Sequence, residues 1–298
     1  MNVIPNGQIL GARVAGVDLS QAQDDATFRA VLQALGRHGV LCFPNQALTP
    51  AQQRDFCARL GVIQYPVTGK FQDKAVPEVG ILSNIVEGGV PIGLADAGQD
   101  WHTDMSYTQV KGFANALFAM RVPRREGRVL GGTMFCNMFA AYDDLPAAVK
   151  ERLKDAKAVH DFQKFWDAML AKGSARGELS PAQKASRPPA LHPITPVHPI
   201  VGRRSLYCNP GYAMFIEGWD KAESDAMLEF LFQHQLQPKY QWTHQWSEGD
   251  FLLWDNLGTV HQALADYSAE EPRLMKRCQI MADKVFDPAW QRQWLQAA

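Results

Sequence analysis

The chain has 298 residues, of which 46% are hydrophobic and 20% charged, as is typical of a globular protein. Thirty Lys and Arg against thirty-one Asp and Glu give a formal net charge of −1, and the scattered basic residues argue against a nucleic-acid partner. The longest apolar runs are far shorter than the roughly 20 residues that span a bilayer, and the N-terminus does not resemble a secretory leader. We therefore expect a cytoplasmic protein with no membrane partner.

The cysteines indicate which metal ligands to look for. The sequence contains five cysteines, widely spaced and without a Cys-x-x-Cys pair. This spacing favours neither a disulfide framework nor a thiolate zinc site. Any metal is expected to be held by histidine and carboxylate.

The first third of the chain alternates helix and strand signals. Residues 24–36 have apolar positions at helical spacing behind an aspartate cap, and residues 40–43 form a short apolar strand. Residues 49–52 read Thr-Pro-Ala-Gln, which predicts a capping box at the start of a second helix. We expect these two helices to flank a sheet.

The middle of the chain contains two segments with the composition of long connections. Residues 67–99 are rich in Gly, Pro and Asp, and residues 172–189 are rich in Ser, Ala, Arg, Gly and Pro. Between them we predict strands at 114–122 and 130–135 and a helix near 146–156. Long connections of this kind often cover functional sites, so we expect lid-like segments at about 67–99 and 156–190.

The C-terminal third is dominated by strand patterns. We predict strands around 205–209 and at 250–255, 259–265 and 274–282, with a helix at 221–235. Strands with helices at their margins indicate an α+β protein. The expected fold is a double-stranded β-helix (jelly roll) core with flanking helices and a lid insertion, formed by one domain over residues 1–298.

His102 and Asp104 form the only His-x-Asp sequence in the chain. In a strand, residues i and i+2 point to one face, so the two side chains would present a nitrogen and an oxygen to one ion. A third ligand is then needed. Alone, the pair is more often a chance occurrence than a metal site.

His261 is the favoured third ligand because it lies near the start of a late strand in the same predicted sheet system. Two histidines and one carboxylate leave three open positions on an octahedral metal, which suits Fe(II) with a bidentate cosubstrate and O₂. His192 and His198 each precede proline in a segment predicted to be irregular, so they are less suited to rigid ligation. The alternative is that His261 is a half-buried histidine beside a turn, without a metal-binding role.

Arg273 and Arg277 lie on one face of the last predicted strand, opposite an apolar face. A guanidinium pairs bidentately with a carboxylate, so two of them near a metal indicate two anionic ligands in one pocket. The alternative is that both arginines are surface charges, or that Arg277 forms an ion pair with an internal Asp or Glu.

These features together resemble the Fe(II)/2-oxoglutarate-dependent dioxygenases of the taurine dioxygenase and 2,4-dichlorophenoxyacetate dioxygenase family. The resemblance covers nearly the whole chain. Its motifs include Gly11-Ala-Arg-Val-Ala-Gly-Val-Asp-Leu-Ser20, Gly39-Val-Leu-Cys-Phe-Pro-Asn-Gln46, Trp101-His-Thr-Asp104, Gly131-Gly-Thr133, Leu206-Tyr-Cys-Asn-Pro210 and Trp254-Asp-Asn256 before His261. Their order and spacing make the match specific.

The resemblance implies roles for individual residues. His102, Asp104 and His261 correspond to the iron ligands, and Arg273 and Thr133 correspond to residues that bind 2-oxoglutarate. Arg277 corresponds to the residue that holds the anionic group of the prime substrate. The implied cofactors are Fe(II), 2-oxoglutarate and O₂, with succinate and CO₂ released as a C–H bond is hydroxylated.

The prime substrate is predicted only by class. The chain has Tyr65-Pro-Val-Thr68 where the taurine enzyme has His-Pro-Val-Tyr, and Gly98 where that enzyme has asparagine, so taurine itself is disfavoured. Tyr65 and Tyr107 are candidate substrate contacts, although aromatic residues more often belong to a core. We expect a small or medium organic anion such as a sulfonate, an aryloxyalkanoate or an amino or carboxylic acid, and hydroxylation beside a heteroatom would lead to cleavage.

Two other functions remain open at this point. One is a non-catalytic jelly-roll protein that binds a small molecule, and the other is a zinc hydrolase that uses the same three ligands. The presence of both arginines weakens the first, and the second gives Arg273 and Thr133 no role. A homo-oligomer is a possible assembly for any of these functions.

Overall fold

A computed structural model describes residues 1–65, 69–173 and 178–295. The strands are β1 (Asn2–Pro5), β2 (Ala12–Ala15), β3 (Val40–Phe43), β4 (Ile63–Gln64), β5 (Gly80–Ser83), β6 (Val86–Glu87), β7 (Val90–Pro91), β8 (Gly112–Arg121), β9 (Arg124–Arg125), β10 (Arg128–Val129), β11 (Thr133–Asn137), β12 (Lys157–His160), β13 (Ala190–Pro193), β14 (Ala213–Ile216), β15 (Gln241–His244), β16 (Phe251–Asp255), β17 (Thr259–Ala263) and β18 (Leu274–Met281). The helices are α1 (Asp25–His38), α2 (Pro50–Leu60), α3 (Met138–Asp143), α4 (Ala147–Leu153), α5 (Phe162–Ala171), α6 (Pro181–Ala185), α7 (Lys221–Gln235) and α8 (Pro288–Trp294).

The helix signals near the N-terminus are confirmed, with one change at the end of α1. The Asp24 side chain accepts from the Thr27 N–H, and Thr49 and Gln52 form the predicted capping box of α2. Gly36 does not end α1, which continues to His38. A Cβ on Gly36 would lie 2.9 Å from a methyl group of Val201, so this glycine permits close packing inside the helix.

Two sheets carry the body of the fold. The large sheet has the strand order β1-β2-β3-β16-β8-β18-β4, with β5 also paired to β18, and the small sheet has the order β15-β11-β17. Neighbouring strands are antiparallel except for β2 and β3. The sheets share a buried cluster that includes Leu117, Phe135 and Trp254. Helices α1 and α2 contribute to a second apolar cluster with the large sheet.

Two predicted strands are interrupted for physical reasons. The expected strand at 130–135 begins only at Thr133, as β11, because Gly131 has a φ of 67° and turns the chain. The stretch 205–209 forms no strand. Its amides bond to segments outside the sheets instead: the Leu206 N–H donates to the carbonyl of Met138 at the start of α3, and the Tyr207 N–H donates to the Ile194 carbonyl.

The predicted lid-like segments contain regular structure within the described residues. Strands β5, β6 and β7 lie in 67–99, and β12, α5 and α6 lie in 156–190, where β13 begins at the last residue. A third sheet has the order β13-β12-β14, and α5 begins two residues after β12 ends. Residues 66–68 and 174–177 lie outside the described residues, and closure of the two segments remains a prediction. Among the described helices, none has the length and apolar character needed to cross a membrane.

Candidate metal centre and the cavity around it

His102 and His261 face each other across a single backbone bridge. The His102 N–H donates to the His261 carbonyl at 3.0 Å, and the His261 N–H donates back to the His102 carbonyl at 2.9 Å. Directly opposed residues of an antiparallel pair share one face, and the two imidazole centroids are 4.2 Å apart. The backbone therefore brings the two rings together.

Asp104 completes the group by a different route from the one predicted. Residues 102–104 do not form a strand, since His102 makes an isolated bridge and the chain then turns, with Met105 at a φ of 60°. The carboxylate nevertheless lies 3.5 Å from Nε2 of His102 and 3.8 Å from Nε2 of His261. Asn115 donates to its Oδ2 at 2.5 Å and so fixes its orientation.

The protonation of Asp104 and His261 suits metal binding. Burial disfavours the ionised carboxylate, but His102, Arg277 and His261 outweigh it and hold the pKa of Asp104 well below its usual range. Burial and the neighbouring His102 lower the pKa of His261. Burial also disfavours the charged form of His102, yet its contacts with Asp104 raise its pKa. An ionised carboxylate and a neutral imidazole are the forms that ligate a divalent ion.

The donor atoms fit a metal ion. Nδ1 of His102 lies 2.7 Å from the Asp100 carbonyl, which assigns its proton to that nitrogen and leaves the Nε2 lone pair facing Asp104. One ligand atom from each of the three buried side chains lies within 4.8 Å of the others. Two imidazole nitrogens and one carboxylate oxygen on one side of an ion match the donor set of Fe(II) oxygenases.

Strands and short loops form the cavity on one side of the three ligands, which we call the strand-lined chamber. Its lining includes Thr133, Trp254 and Arg273 in addition to the ligands. The Thr133 hydroxyl accepts from the Trp246 indole at 3.1 Å, so its own proton is free to donate. Arg273 is only 6% exposed, and its Nε is buried without a hydrogen-bond partner among the described residues. A buried guanidinium of this kind calls for an anion from outside the chain.

Aromatic rings form the cavity on the other side, which we call the aromatic chamber. It is lined by Phe71, Tyr107, Phe162, Phe165, Trp166 and Tyr212. The Tyr107 ring packs 4.7 Å from Phe162 and 4.8 Å from Tyr212. Arg277 lines both chambers, and its Nη1 lies 3.8 Å from Oδ2 of Asp104, at the outer limit of an ion pair.

Some predicted residues lie elsewhere. Tyr65 is 54% exposed and is absent from the described lining of both chambers, so the structure does not bring it to the ligands. Asp255 precedes His261 by six residues, but its carboxylate lies 3.0 Å from Nε2 of the buried His198. The Asp100 carbonyl contacts the His102 ring, and the Asn115 side chain contacts the Asp104 carboxylate.

The residues that the sequence failed to indicate are mostly aromatic. Phe162, Phe165 and Trp166 lie on α5, in one of the segments predicted to be a lid, and Tyr212 lies in a loop. Gln279 joins Arg277 on the cavity face of β18. The only available signal was the density of aromatic residues at 162–166, which is also typical of a core helix.

A comparison with protein families decides the assignment. The family model described as "Taurine catabolism dioxygenase TauD, TfdA family" matches residues 3–279. The chain belongs to this family. The family that the sequence motifs resemble is thereby confirmed.

Relatives of known function agree with this assignment. The chain is 31% identical to pentalenolactone F synthase of Streptomyces avermitilis, over 95% of this chain and 94% of that protein. It is 30% identical to the (S)-phenoxypropionate/alpha-ketoglutarate-dioxygenase of Sphingobium herbicidovorans, over 97% of both chains. It is also 28% identical to an alpha-ketoglutarate-dependent sulfate ester dioxygenase of Pseudomonas putida, over 93% of this chain and 88% of that protein.

Solved structures of the family superpose on the chain. AAD-2, solved with Mn(II) and N-oxalylglycine, has a TM-score of 0.77 at 26% identity and covers 94% of this chain and 98% of its own. A taurine dioxygenase from Burkholderia xenovorans has a TM-score of 0.75 at 27% identity and covers 97% and 91%. This TauD/TfdA family protein is therefore a 2-oxoglutarate-dependent dioxygenase that uses Fe(II) and O₂. Neither the zinc hydrolase nor the non-catalytic binding protein is supported.

Proposed function

We propose that this dioxygenase hydroxylates an organic anion with an apolar or aromatic body, with iron held by His102, Asp104 and His261. In the proposed arrangement the strand-lined chamber receives 2-oxoglutarate, and the aromatic chamber receives the prime substrate. The observation that carries the proposal is the placement of the two arginines: Arg273 lines only the strand-lined chamber, whereas Arg277 also lines the aromatic chamber. Two guanidinium groups in one cavity require two anions.

Arg273 and Thr133 form the proposed cosubstrate site. The guanidinium supplies a bidentate partner for the distal carboxylate, and the Thr133 hydroxyl, oriented by Trp246, donates a further hydrogen bond. The buried position of Arg273 makes this interaction strong because water competes little. When bound, the iron activates O₂, with 2-oxoglutarate converted to succinate and CO₂.

Arg277 is the proposed anchor for the prime substrate. Asp104 partly neutralises it at 3.8 Å, and coordination of Asp104 to a metal ion would leave the guanidinium available to another anion. The aromatic rings then contact the apolar body and hold a C–H bond near the metal. Sulfonates, aryloxyalkanoates and carboxylic or amino acids fit this description, and the relatives named for phenoxypropionate and sulfate esters support the class.

The finer structural predictions are proposals of the same kind. The large and small sheets with their shared core support a double-stranded β-helix formed by a single domain, and the segments 67–99 and 156–190 are proposed to close over the bound substrate. A cytoplasmic location and a homo-oligomeric state remain predictions.

The test compares an anionic substrate with its neutral amide in the succinate-forming assay. Wild type should prefer the anion, and Arg277→Ala should lose this preference. Lys276→Ala is the matched control, because this neighbouring cation pairs with Asp73 at 3.1 Å on the other face of β18. An equal preference for the anion in wild type and Arg277→Ala would contradict the proposed anchor.

A further inference from the structure

A second group of potential metal ligands lies apart from the His102 site. Cys42, His244 and Asp250 each offer one ligand atom, and these atoms lie within 4.8 Å of one another. Cys42 belongs to β3 and Asp250 directly precedes β16, both in the large sheet, whereas His244 ends β15 in the small sheet. The cluster therefore connects the two sheets.

The His244 side chain carries the strongest indication of a missing ligand. It is 9% exposed, and its Nε2 is buried without a hydrogen-bond partner among the described residues. This nitrogen lies 3.2 Å from Oδ2 of Asp250, but the alignment is not that of a hydrogen bond. A buried nitrogen without a hydrogen bond needs an explanation. The buried His198 faces Asp255 in the same way, but among the described residues no third ligand atom joins that pair, whereas Cys42 joins His244 and Asp250.

Asp250 is held in place independently of His244. Its Oδ2 accepts from the Ser247 N–H at 2.8 Å, and its own N–H and carbonyl are bonded within the turn and to β8. The carboxylate is 8% exposed, so it is at least as buried as the histidine. A metal ion would meet a carboxylate that is already oriented.

Cys42 supplies the third donor and a route for entry. Its side chain is only partly buried, in contrast to the other two ligands. Burial and the adjacent Asp250 raise the pKa of its thiol, which describes the metal-free state in which the proton is retained. A divalent ion would displace that proton, and its charge would be balanced by one thiolate and one carboxylate.

We propose that Cys42, His244 and Asp250 bind a divalent transition metal of the zinc type, which links the two sheets. The combination of thiolate, imidazole and carboxylate favours Zn²⁺ over Mg²⁺ or Ca²⁺, and three protein ligands leave one position for water. The ligands come from distant points of the chain, which explains why cysteine spacing gave no sign of a thiolate site. The site shares no residue with the His102 site, so it does not rest on the proposed function.

The neighbouring residues connect this site to the cosubstrate chamber. His244 is the cross-strand partner of Thr133, and its ring lies edge-on 4.8 Å from the Trp246 ring. Trp246 is the residue that donates to the Thr133 hydroxyl. A metal on His244 would therefore stiffen the wall that carries Thr133.

The test uses Co²⁺ as the probe in the full-length His261→Ala variant, in which the predicted iron site has lost a ligand. We expect a thiolate-to-cobalt charge-transfer band, which the His102 site, lacking sulfur, cannot produce. Adding the Cys42→Ser substitution should abolish the band. Zn²⁺ should displace the bound cobalt, remove the band and raise the melting temperature by several degrees. Cys136→Ser is the matched control, because this buried cysteine of the small sheet lies outside the cluster.

Each result decides the question. The absence of a band in His261→Ala, or a band that persists after Cys42→Ser, would overturn the proposal. If Cys42→Ser does not fold, His244→Gln takes its place, and an unchanged cobalt spectrum in that variant would equally overturn it.

Discussion

The two chambers of the cavity are built from different kinds of structure. The strand-lined chamber takes Thr133 and His261 from neighbouring strands of the small sheet and Arg273 from the residue before β18. The aromatic chamber takes most of its rings from the segments that connect the sheets, including α5. Paired strands fix the position of a side chain more tightly than a connecting helix does. In the proposed arrangement, the reaction and the choice of substrate are therefore controlled by separate parts of the chain.

The largest expected effect tests the strand-lined side. His261→Ala should abolish iron-dependent succinate formation from 2-oxoglutarate, because two ligands remain where three are needed. The fold should persist, since the cluster around Phe135 and Trp254 is apolar. Succinate formation and the thermal unfolding midpoint are the measurements.

His38→Ala is a suitable control for that experiment. His38 lies in the last turn of α1, outside both chambers, and its replacement should leave turnover unchanged. Full activity in His261→Ala would remove this histidine from the iron site.

The next effect tests whether the strand-lined chamber binds the cosubstrate. Arg273→Lys keeps the charge but loses the bidentate fork, and a charge-assisted pair contributes on the order of 1.5–3 kcal/mol. The affinity for 2-oxoglutarate should fall roughly 10- to 150-fold, with iron binding retained. Lys276→Arg, on the other face of β18, should leave that affinity unchanged. Unaltered 2-oxoglutarate binding in Arg273→Lys would show that another group holds the distal carboxylate.

A third prediction concerns the sheet beneath the aromatic chamber. Burial and nearby positive charge lower the pKa of His160 to about 3 and that of His192 to about 4. In the unfolded state both side chains have a pKa near 6.5. Between that pH and the lower pKa values of the folded protein, the unfolded state binds more protons than the folded state. The free energy of unfolding should therefore fall as the pH falls, by about 2 kcal/mol at pH 5 for His160 alone.

Urea unfolding at pH 7 and pH 5 measures this dependence. His160→Leu should show a smaller difference between the two pH values than wild type. If the difference is the same in both proteins, the acid sensitivity originates elsewhere.

The smallest effect tests the aromatic side. Phe165→Ala removes one ring from the chamber and should raise KM for an aromatic anion roughly fivefold, which corresponds to about 1 kcal/mol. Phe215→Ala, at a phenylalanine that is 47% exposed outside the chamber, is the control. Turnover of 2-oxoglutarate should change little in either variant. An equal effect of both substitutions would mean that the chamber does not contact the substrate.

The sequence predicted the chemistry of the site better than its construction. His102, Asp104, His261, Arg273 and Thr133 were identified from residue type and from the family resemblance, and the structure places all five around one chamber. The strand expected at 102–104 was wrong, because a single backbone bridge and a turn produce the same proximity. Local spacing cannot distinguish these two routes.

The contacts between distant segments were the main omission. Asp255 lies only six residues before His261, yet it pairs with His198, which approaches from another loop. Phe165 and Trp166 were not identified, because the sequence does not reveal which face of α5 meets the cavity. The Cys42, His244 and Asp250 cluster depends on three elements that only the tertiary fold brings together.

The bridge between His102 and His261 bears on how iron is exchanged. Two backbone hydrogen bonds hold the histidines, and Asn115 holds Asp104, so the chain itself provides the restraint that positions the donors. Removing the ion should leave these amide protons as protected from solvent hydrogen exchange as before. The metal would then enter and leave a chain that stays folded, and supply of Fe(II), not refolding, would limit recovery of an iron-depleted enzyme.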